Sequence, residues 1–373
     1  TRVRSSAASD VYKRQAIGIN ASASKQDSIA IGQNSKSNWT NTIAIGRDTN
    51  ATQDHAVAIG SNTTASGVQA VTVGSYSNAT ANSVVAIGQE SKAGGTGAGT
   101  AAVAVGYLAN ASAANTVAAG KSASASVDNA VAVGVQSNAS ARTASALGAY
   151  AEASAERATA VGAASKAAGV ASFAGGTSAN ASGANSIAIG GSMDSATAAQ
   201  AVKNNSIAVG YGANASQVST IAIGTASKAF EENAIAVGST SKAKERNSIA
   251  QGSQATANKE SDIAVGTDSV ANGSSTQPAP KPRNQPGSSI PVTPEDTRGV
   301  GSAIAMGKGS NATGFATIAV GQGANATFDT ATAICYLASA SKEDAIATGS
   351  KANASGNFSI ATGSGAASSA HGS

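Results

Sequence analysis

Few side chains in this sequence could carry out acid–base or nucleophilic chemistry. There are two histidines, His55 and His371, and one cysteine, Cys335. His55 stands where similar segments of the chain have asparagine, as at Asn41 and Asn129, so we expect it to be a polar turn residue. Cys335 has no base near it in the sequence that could activate its thiol as a nucleophile. We therefore predict no catalytic residues and no enzymatic activity.

Cofactor, metal and nucleic-acid signatures are also missing from the sequence. It has 42 glycines but no G-x-x-x-x-G-K-[ST] segment for phosphate and no Asp-bearing nonapeptide repeat for calcium. A single cysteine excludes an intrachain disulfide framework. The net charge is only +4, and no Lys/Arg cluster is interleaved with aromatic residues, so we expect no nucleic-acid partner. We predict no cofactor and no metal ion.

A fourteen-residue repeat organises the chain. Segments of the type Asn185-Ser186-Ile187-Ala188-Ile189-Gly190 recur, and aligning them on the final glycine gives 23 copies, in one of which Cys335 replaces the glycine. Of the 22 intervals between copies, 19 are fourteen residues long. With 3% aromatic and 12% charged residues the chain lacks the material for a conventional core. Disorder would not keep this phase, so the repeat indicates a repeat fold built from small residues.

Each repeat reads as two short strands joined by turns. Before the glycine, Ile or Val alternates with Ala, as in Ile187, Ala188 and Ile189, which is typical of a strand. After the glycine, small residues alternate with polar ones, which predicts a second strand with one solvated face. We therefore predict an all-β parallel β-roll or solenoid of about 23 rungs. Exposed polar rung residues are expected at Asn78, Lys92, Asn138, Lys166, Asn214, Lys228 and Lys242.

The first strand of each repeat is apolar on both faces, so we expect both faces to be buried. We expect Ile and Val to point into the roll, because large side chains opposite small ones fill an interior better than small opposite small. In the reverse orientation, Ile and Val would form an exposed stripe far larger than a monomer normally shows. Both orientations favour a homo-oligomer, and the reverse one nearly requires it.

The repeats resemble the head repeats of YadA-like trimeric autotransporter adhesins. The likeness rests on copies such as Ile187-Ala188-Ile189-Gly190 and on the small-x-small segment Ser227-Lys228-Ala229. It implies a left-handed roll, a homotrimer and extracellular display on the bacterial cell surface. It also implies binding to an extracellular matrix protein such as collagen, or to a host cell surface. The family's stalk and C-terminal membrane anchor do not occur here, so we expect an internal fragment of a head whose only membrane link is that missing anchor.

Three longer intervals interrupt the repeat, and the longest contains all six prolines. Proline cannot donate a ladder hydrogen bond, so this stretch is predicted to leave the sheet as a loop that contacts a ligand or is merely tolerated. We divide the chain into a lead-in at 1–14, a possible artefact, head repeats at 15–273, the loop at 274–299 and further repeats at 300–373. Candidate ligand-contacting residues in the loop are Pro278, Lys281, Arg283, Pro286 and Arg298.

The function predicted from these features is that of an adhesin head without catalysis, which binds host matrix or cell surfaces, or itself, through a rigid repeat rod. A purely structural spacer remains an alternative, because a rod needs no ligand. An ice-binding solenoid is disfavoured, since that class wants a regular Thr-x-Thr ladder and threonine is scattered here. A hexapeptide-repeat acyltransferase has the wrong period.

Overall fold

A computed structural model describes residues 13–94, 101–273 and 302–372. These residues fold into strands and turns, without any helix. The chain forms two compact units, residues 1–185 and residues 186–373. Each unit is a parallel β-solenoid in which every repeat contributes one long strand and one short strand. Together the units contain about 23 turns spaced mostly fourteen residues apart, so the predicted fold class is confirmed.

In the first unit, the long strands form one parallel sheet and the short strands form a second. The long strands are Gln15–Ile17, Ile29–Ile31, Ile43–Ile45, Val57–Ile59, Val71–Val73, Val85–Ile87, Val103–Val105, Val117–Ala119, Val131–Val133, Ser145–Leu147, Thr159–Val161 and Phe173–Gly175. The short strands are Ser22–Ala23, Lys36–Ser37, Asn50–Ala51, Thr64–Ala65, Asn78–Ala79, Lys92–Ala93, Asn110–Ala111, Ser124–Ala125, Asn138–Ala139, Glu152–Ala153, Lys166–Ala167 and Asn180–Ala181.

The second unit repeats this arrangement. Its long strands are Ile187–Ile189, Ile207–Val209, Ile221–Ile223, Ile235–Val237, Ile249–Gln251, Ile263–Val265, Ile304–Met306, Ile318–Val320, Thr332–Ile334, Ile346–Thr348 and Ile360–Thr362. Its short strands are Gln200–Ala201, Asn214–Ala215, Lys228–Ala229, Lys242–Ala243, Thr256–Ala257, Val270–Asn272, Asn311–Thr313, Asn325–Ala326, Ser339–Ala340, Asn353–Ala354 and Ala367–Ser368. We call the two layers of each unit the long-strand sheet and the short-strand sheet.

Strand pairing keeps the repeat in register even where residues are inserted. Val85 pairs with Val103 across the eighteen-residue interval, and Ile187 pairs with Ile207 across the twenty-residue interval. Ile263 pairs with Ile304 across the longest interval. Because these pairs join equivalent positions of consecutive rungs, the ladder continues in register across all three insertions.

The expected orientation of the long strand is wrong. Ala188 is fully buried, whereas Ile187 and Ile189 are 36% and 42% exposed in the single chain. In every other long strand except Gln15–Ile17, the middle residue is likewise buried and both its neighbours are at least partly exposed. Both sheets direct small side chains inward, and the largest fully buried side chain among the described residues is Val84. An interior this narrow is filled mostly by Ala, Ser and Thr, so the Ile and Val side chains of the long strands point outward.

The glycine that ends each long strand occupies a corner that other residues fit poorly. Gly238, for example, has a φ of +131°, and a Cβ there would lie 2.4 Å from the carbonyl oxygen of Gly252 in the next rung. Cys335 occupies the same corner with a φ of 97°, while the neighbouring Gly321 and Gly349 both have 134°. The corner at Cys335 therefore departs from the geometry of the glycine corners on either side.

Two further turn positions per rung adopt the left-handed conformation. Asn34 and Asn41 both have a φ of 56°, and His55 has 61°. Asparagine tolerates this conformation better than most residues, which explains its frequency at these positions. The prediction that His55 is a turn residue is confirmed. None of the described residues belongs to a helix long and apolar enough to cross a membrane.

Candidate functional site

The long-strand sheet presents an apolar outer face in both units. In the second unit, Ile207, Ile221 and Ile235 are consecutive register partners and lie partly exposed in one column. The residue just before each corner glycine forms a second column, in which Ile223 is 38% exposed. Across all 23 repeats, neither column contains a charged residue. Each unit therefore carries a stripe of uncharged, mostly β-branched side chains that its own chain leaves partly exposed.

The short-strand sheet carries the predicted polar rung residues on its outer face. The four lysines, at 92, 166, 228 and 242, are exposed, whereas Asn78, Asn138 and Asn214 are half-buried. The carbonyl oxygen of the Asn78 side chain is buried and has no hydrogen-bond donor.

These seven residues form three groups along the rungs. One pairs Asn78 with Lys92, and one joins Asn214, Lys228 and Lys242 on consecutive rungs. In the third, Glu152 lies between Asn138 and Lys166, and it forms an ion pair of 3.6 Å with the lysine.

In an open cleft of about 390 Å³ near the start of the first unit, side chains of the lining hydrogen-bond to one another. Asn20 donates a hydrogen bond of 3.1 Å to the Asn34 side chain, which donates one of 2.7 Å to Asp48. Asn34 and Asp48 both have positive φ values. This ladder of side-chain hydrogen bonds stabilises successive left-handed turns, and we assign it a structural role.

A second cleft, of about 490 Å³, opens on the short-strand sheet of the second unit. Its lining comprises Lys228 and Lys242, which were expected as exposed rung residues, together with Phe230 and Lys244, which were not. The signal for the latter two was present in the sequence. Their position, two residues after the outward polar residue of the short strand, holds Ser in most other repeats.

The structure also assigns a role to Asp262, which the sequence interpretation did not single out. Asp262 is fully buried at a position that holds Ala, Ser or Thr in most other repeats. Its carboxylate accepts hydrogen bonds from the backbone N–H groups of Lys259, Gly273 and Ala303 at 2.8 to 3.2 Å. Gly273 precedes the proline-rich insertion and Ala303 follows it. Asp262 therefore ties the two ends of the insertion to one rung.

Burial has an electrostatic consequence at this carboxylate. Desolvation raises the pKa of Asp262 above its ordinary value of 3.8, because a charged carboxylate is disfavoured away from water. The backbone N–H groups of Ala303, Gly273, Lys259 and Asn258 act in the opposite direction, and desolvation outweighs them. The raised pKa therefore reflects the burial of Asp262, which its hydrogen bonds to the backbone offset only in part.

The residues with reactive side chains are dispersed over the chain. Cys335 is exposed at its corner, and the His371 ring packs near Phe358 with their centroids 5.4 Å apart. Within the described residues, no group of three His, Cys, Asp or Glu side chains could hold a metal ion. The proposed loop contacts Pro278, Lys281, Arg283, Pro286 and Arg298 lie outside the described residues.

Comparison with known proteins identifies the repeat. A family model described as "YadA head domain repeat (2 copies)" matches more than half of the chain. No curated protein matches the sequence. The matches to the family cover residues 16–35, 40–63, 98–123, 125–151, 153–179, 167–192, 197–213, 201–225, 215–241, 243–269, 312–334 and 340–366.

These matches fall on the repeats whose strands and corners are described above. Both the family and the solenoid fold are of non-catalytic kinds, and head repeats of this type imply an adhesin-type function at the cell surface. The chain belongs to the YadA head repeat family and is a head region of the YadA-like trimeric autotransporter adhesins.

Proposed function

We propose that this chain is the head of a surface adhesin in which three copies pack through their long-strand sheets and turn their short-strand sheets outward. The observation that carries this proposal is the uncharged, partly exposed column of residues such as Ile207, Ile221 and Ile235. A soluble monomer rarely leaves a contiguous apolar face open to water. The number three is taken from the family, as is display outside the outer membrane of a Gram-negative bacterium.

The energetics favour assembly along the whole stripe. Burying an Ile or Val side chain fully stabilises a protein by roughly 1.5–3 kcal/mol, and these side chains begin about one-third exposed. Each contact is therefore modest, but two columns repeat at nearly every rung. Because the stripe is the same on every copy, a cyclic arrangement can close on itself.

Light scattering with size-exclusion chromatography tests the assembly. The double variant Val117→Lys with Val131→Lys places two charges on adjacent rungs of the long-strand sheet. Its matched control, Ser124→Lys with Asn138→Lys, places the same charges on the same rungs of the short-strand sheet. We expect a trimeric wild type, a trimeric control and a monomeric Val117/Val131 variant. A wild type that is monomeric at micromolar concentration would contradict the proposal.

The outward short-strand sheets then supply the adhesive surface, for which we propose extracellular matrix proteins such as collagen, or host cell surfaces, as partners. Binding of the full chain to a panel of immobilised matrix proteins tests this step. Deleting residues 275–301 restores the fourteen-residue spacing and keeps Gly273 and Ala303. Binding that is lost on deletion depends on the loop, and binding that persists depends on the repeats. If the wild type binds none of the panel while remaining trimeric, the chain acts as a structural spacer.

A further inference from the structure

The cleft lined by Lys228, Phe230, Lys242 and Lys244, here called the lysine cleft, differs from the rest of the short-strand sheet. The strands Lys228–Ala229 and Lys242–Ala243 are neighbours, and the two lysines are register partners. Paired strands lie roughly 4.8 Å apart, so two ammonium groups share one narrow band of the surface. The two remaining residues each follow a lysine by two positions and are exposed beside it.

The three ammonium groups of the cleft lack carboxylate partners. Among the described residues, no Asp or Glu oxygen lies within ion-pair distance of Lys228, Lys242 or Lys244. In the first unit, by contrast, Lys166 at the equivalent rung position pairs with Glu152 at 3.6 Å. Like charges placed opposite each other on a sheet destabilise it. The fold thus tolerates a local repulsion that an anionic ligand would relieve.

The outward residues of the short strands on either side of the cleft are polar and uncharged. Asn214 and Thr256 continue the ladder beyond the two paired lysines. Phe230 is 38% exposed, so part of its ring forms an apolar surface inside the cleft. The cleft therefore offers cations, one aromatic face and flanking hydrogen-bonding groups along the stacking direction of the rungs.

We propose that the lysine cleft binds a sulfated polysaccharide. Sulfate groups match the flexible, point-like charges of lysine, and the C–H face of a pyranose ring packs against an aromatic ring such as Phe230. Sugar hydroxyls match the amide and hydroxyl groups of Asn214 and Thr256. Single-stranded nucleic acid fits less well, because its binding uses several aromatic platforms. An acidic peptide would use the charges but neither the ring nor the flanking polar groups.

This inference deepens the proposed adhesin function and rests on it for one point, the outward display of the short-strand sheet. In a trimer, three copies of the cleft would face outward and engage one long polysaccharide together. Individually weak sites then bind with increased avidity. The chemistry of the single cleft does not depend on the number of copies.

The test measures binding of the full chain to heparin oligosaccharides of defined length by calorimetry. The cleft variant changes Lys228, Lys242 and Lys244 to Gln, and the matched control changes Lys36, Lys92 and Lys166 to Gln. We expect the cleft variant to lose about tenfold or more in affinity and the control less than about twofold. Desulfated heparin should not bind the wild type. Equal losses in both variants would overturn the proposal, because they would indicate non-specific attraction.

A second variant tests the aromatic contribution. Phe230→Ser installs the residue found at the equivalent position of the preceding rung, Ser216, so the fold is expected to persist. Heparin affinity should fall severalfold while its dependence on salt stays unchanged, since no charge is lost. Undiminished affinity, equally tight binding of poly-glutamate, or equally tight binding of single-stranded DNA would each overturn the assignment to a polysaccharide.

Failure of this inference can be distinguished from failure of the proposed function. If the wild type is trimeric and binds matrix proteins but not heparin, the inference is wrong and the adhesin function stands. A monomeric wild type that still binds heparin through the cleft would contradict the proposed assembly instead. The thermal unfolding of every variant, compared with the wild type, identifies losses caused by misfolding.

Discussion

Asp262 and Ala303 are 41 residues apart in the sequence, and a hydrogen bond of 2.8 Å joins the carboxylate of Asp262 to the backbone N–H of Ala303. The same carboxylate accepts a bond of 3.0 Å from Gly273, before the insertion. A single buried side chain therefore closes the ladder around the longest interruption of the repeat. These hydrogen bonds stabilise the solenoid at the point where the chain leaves the repeat and returns to it.

Replacing Asp262 with Ala should loosen the ends of the insertion. The backbone N–H groups of Gly273 and Ala303 would lose their acceptor, and an unpaired buried donor costs about 1–3 kcal/mol. Hydrogen exchange should show faster exchange of these two amides. The control is Ser248→Ala, one rung earlier, where the hydroxyl donates only to Glu245 within its own turn. Unchanged exchange at Ala303 in the Asp262 variant would refute the fastening role.

The raised pKa of Asp262 predicts a dependence of stability on pH. The folded protein holds the proton more tightly than the unfolded chain, so stability falls as the pH rises from about 3.8 through the folded pKa. Asp262→Asn stays neutral and lacks this contribution. We expect the free energy of unfolding of the wild type, relative to this variant, to decrease with rising pH across that window. An increase would show that the N–H donors outweigh desolvation.

Because Ile and Val point outward and Ala points inward, neighbouring long-strand positions should differ in how well they tolerate substitution by leucine. Ala236 is fully buried between two rungs, so Ala236→Leu overpacks the interior and should destabilise the protein by about 3 kcal/mol. Ile235→Leu, one residue earlier, changes a partly exposed side chain and should cost less than about 1.5 kcal/mol. Chemical denaturation followed by circular dichroism compares the two. An equal loss of stability in the two variants would contradict the inward orientation of Ala236 and the outward orientation of Ile235.

Cys335 offers a stabilising substitution. Its φ of 97° lies in a region that residues with a Cβ rarely adopt, whereas glycine enters it without steric cost. Cys335→Gly should raise the free energy of unfolding by about 1 kcal/mol. Cys335→Ser keeps the Cβ and removes only the thiol, so it should leave stability close to that of the wild type. A similar gain in both variants would point to the thiol instead of the backbone.

The sequence predicted the solenoid because the fourteen-residue period and the alternation of residue types along each strand recur throughout the repeats. The alternation of Ile187, Ala188 and Ile189 shows that the long strand has two different faces, but it does not show which is inside. That depends on the spacing between the two sheets. Two strands and two turns within fourteen residues bring the sheets so close that the interior holds mainly groups as small as the Ala188 methyl.

The candidate sites were less accessible to sequence reasoning, because their residues come together only when the rungs are stacked. Lys228 and Lys242 were expected on the surface, but Phe230 and Lys244 attract attention only when equivalent positions are read down a column. The role of Asp262 required knowing that Gly273 and Ala303 meet again beside it. Neither residue carries a distinctive side chain that would mark such a meeting in the sequence.

The fixed register of the ladder has a consequence for how the chain folds. Within each unit, a new rung pairs only with the one before it, mostly fourteen residues back, so structure can spread along the chain by a series of similar small loop closures. The step from Ile263 to Ile304 must close a loop of 41 residues, which adds about 1 kcal/mol of entropic cost over a fourteen-residue step. That step is the expected pause in propagation, and the carboxylate of Asp262 lies where it can capture the returning strand.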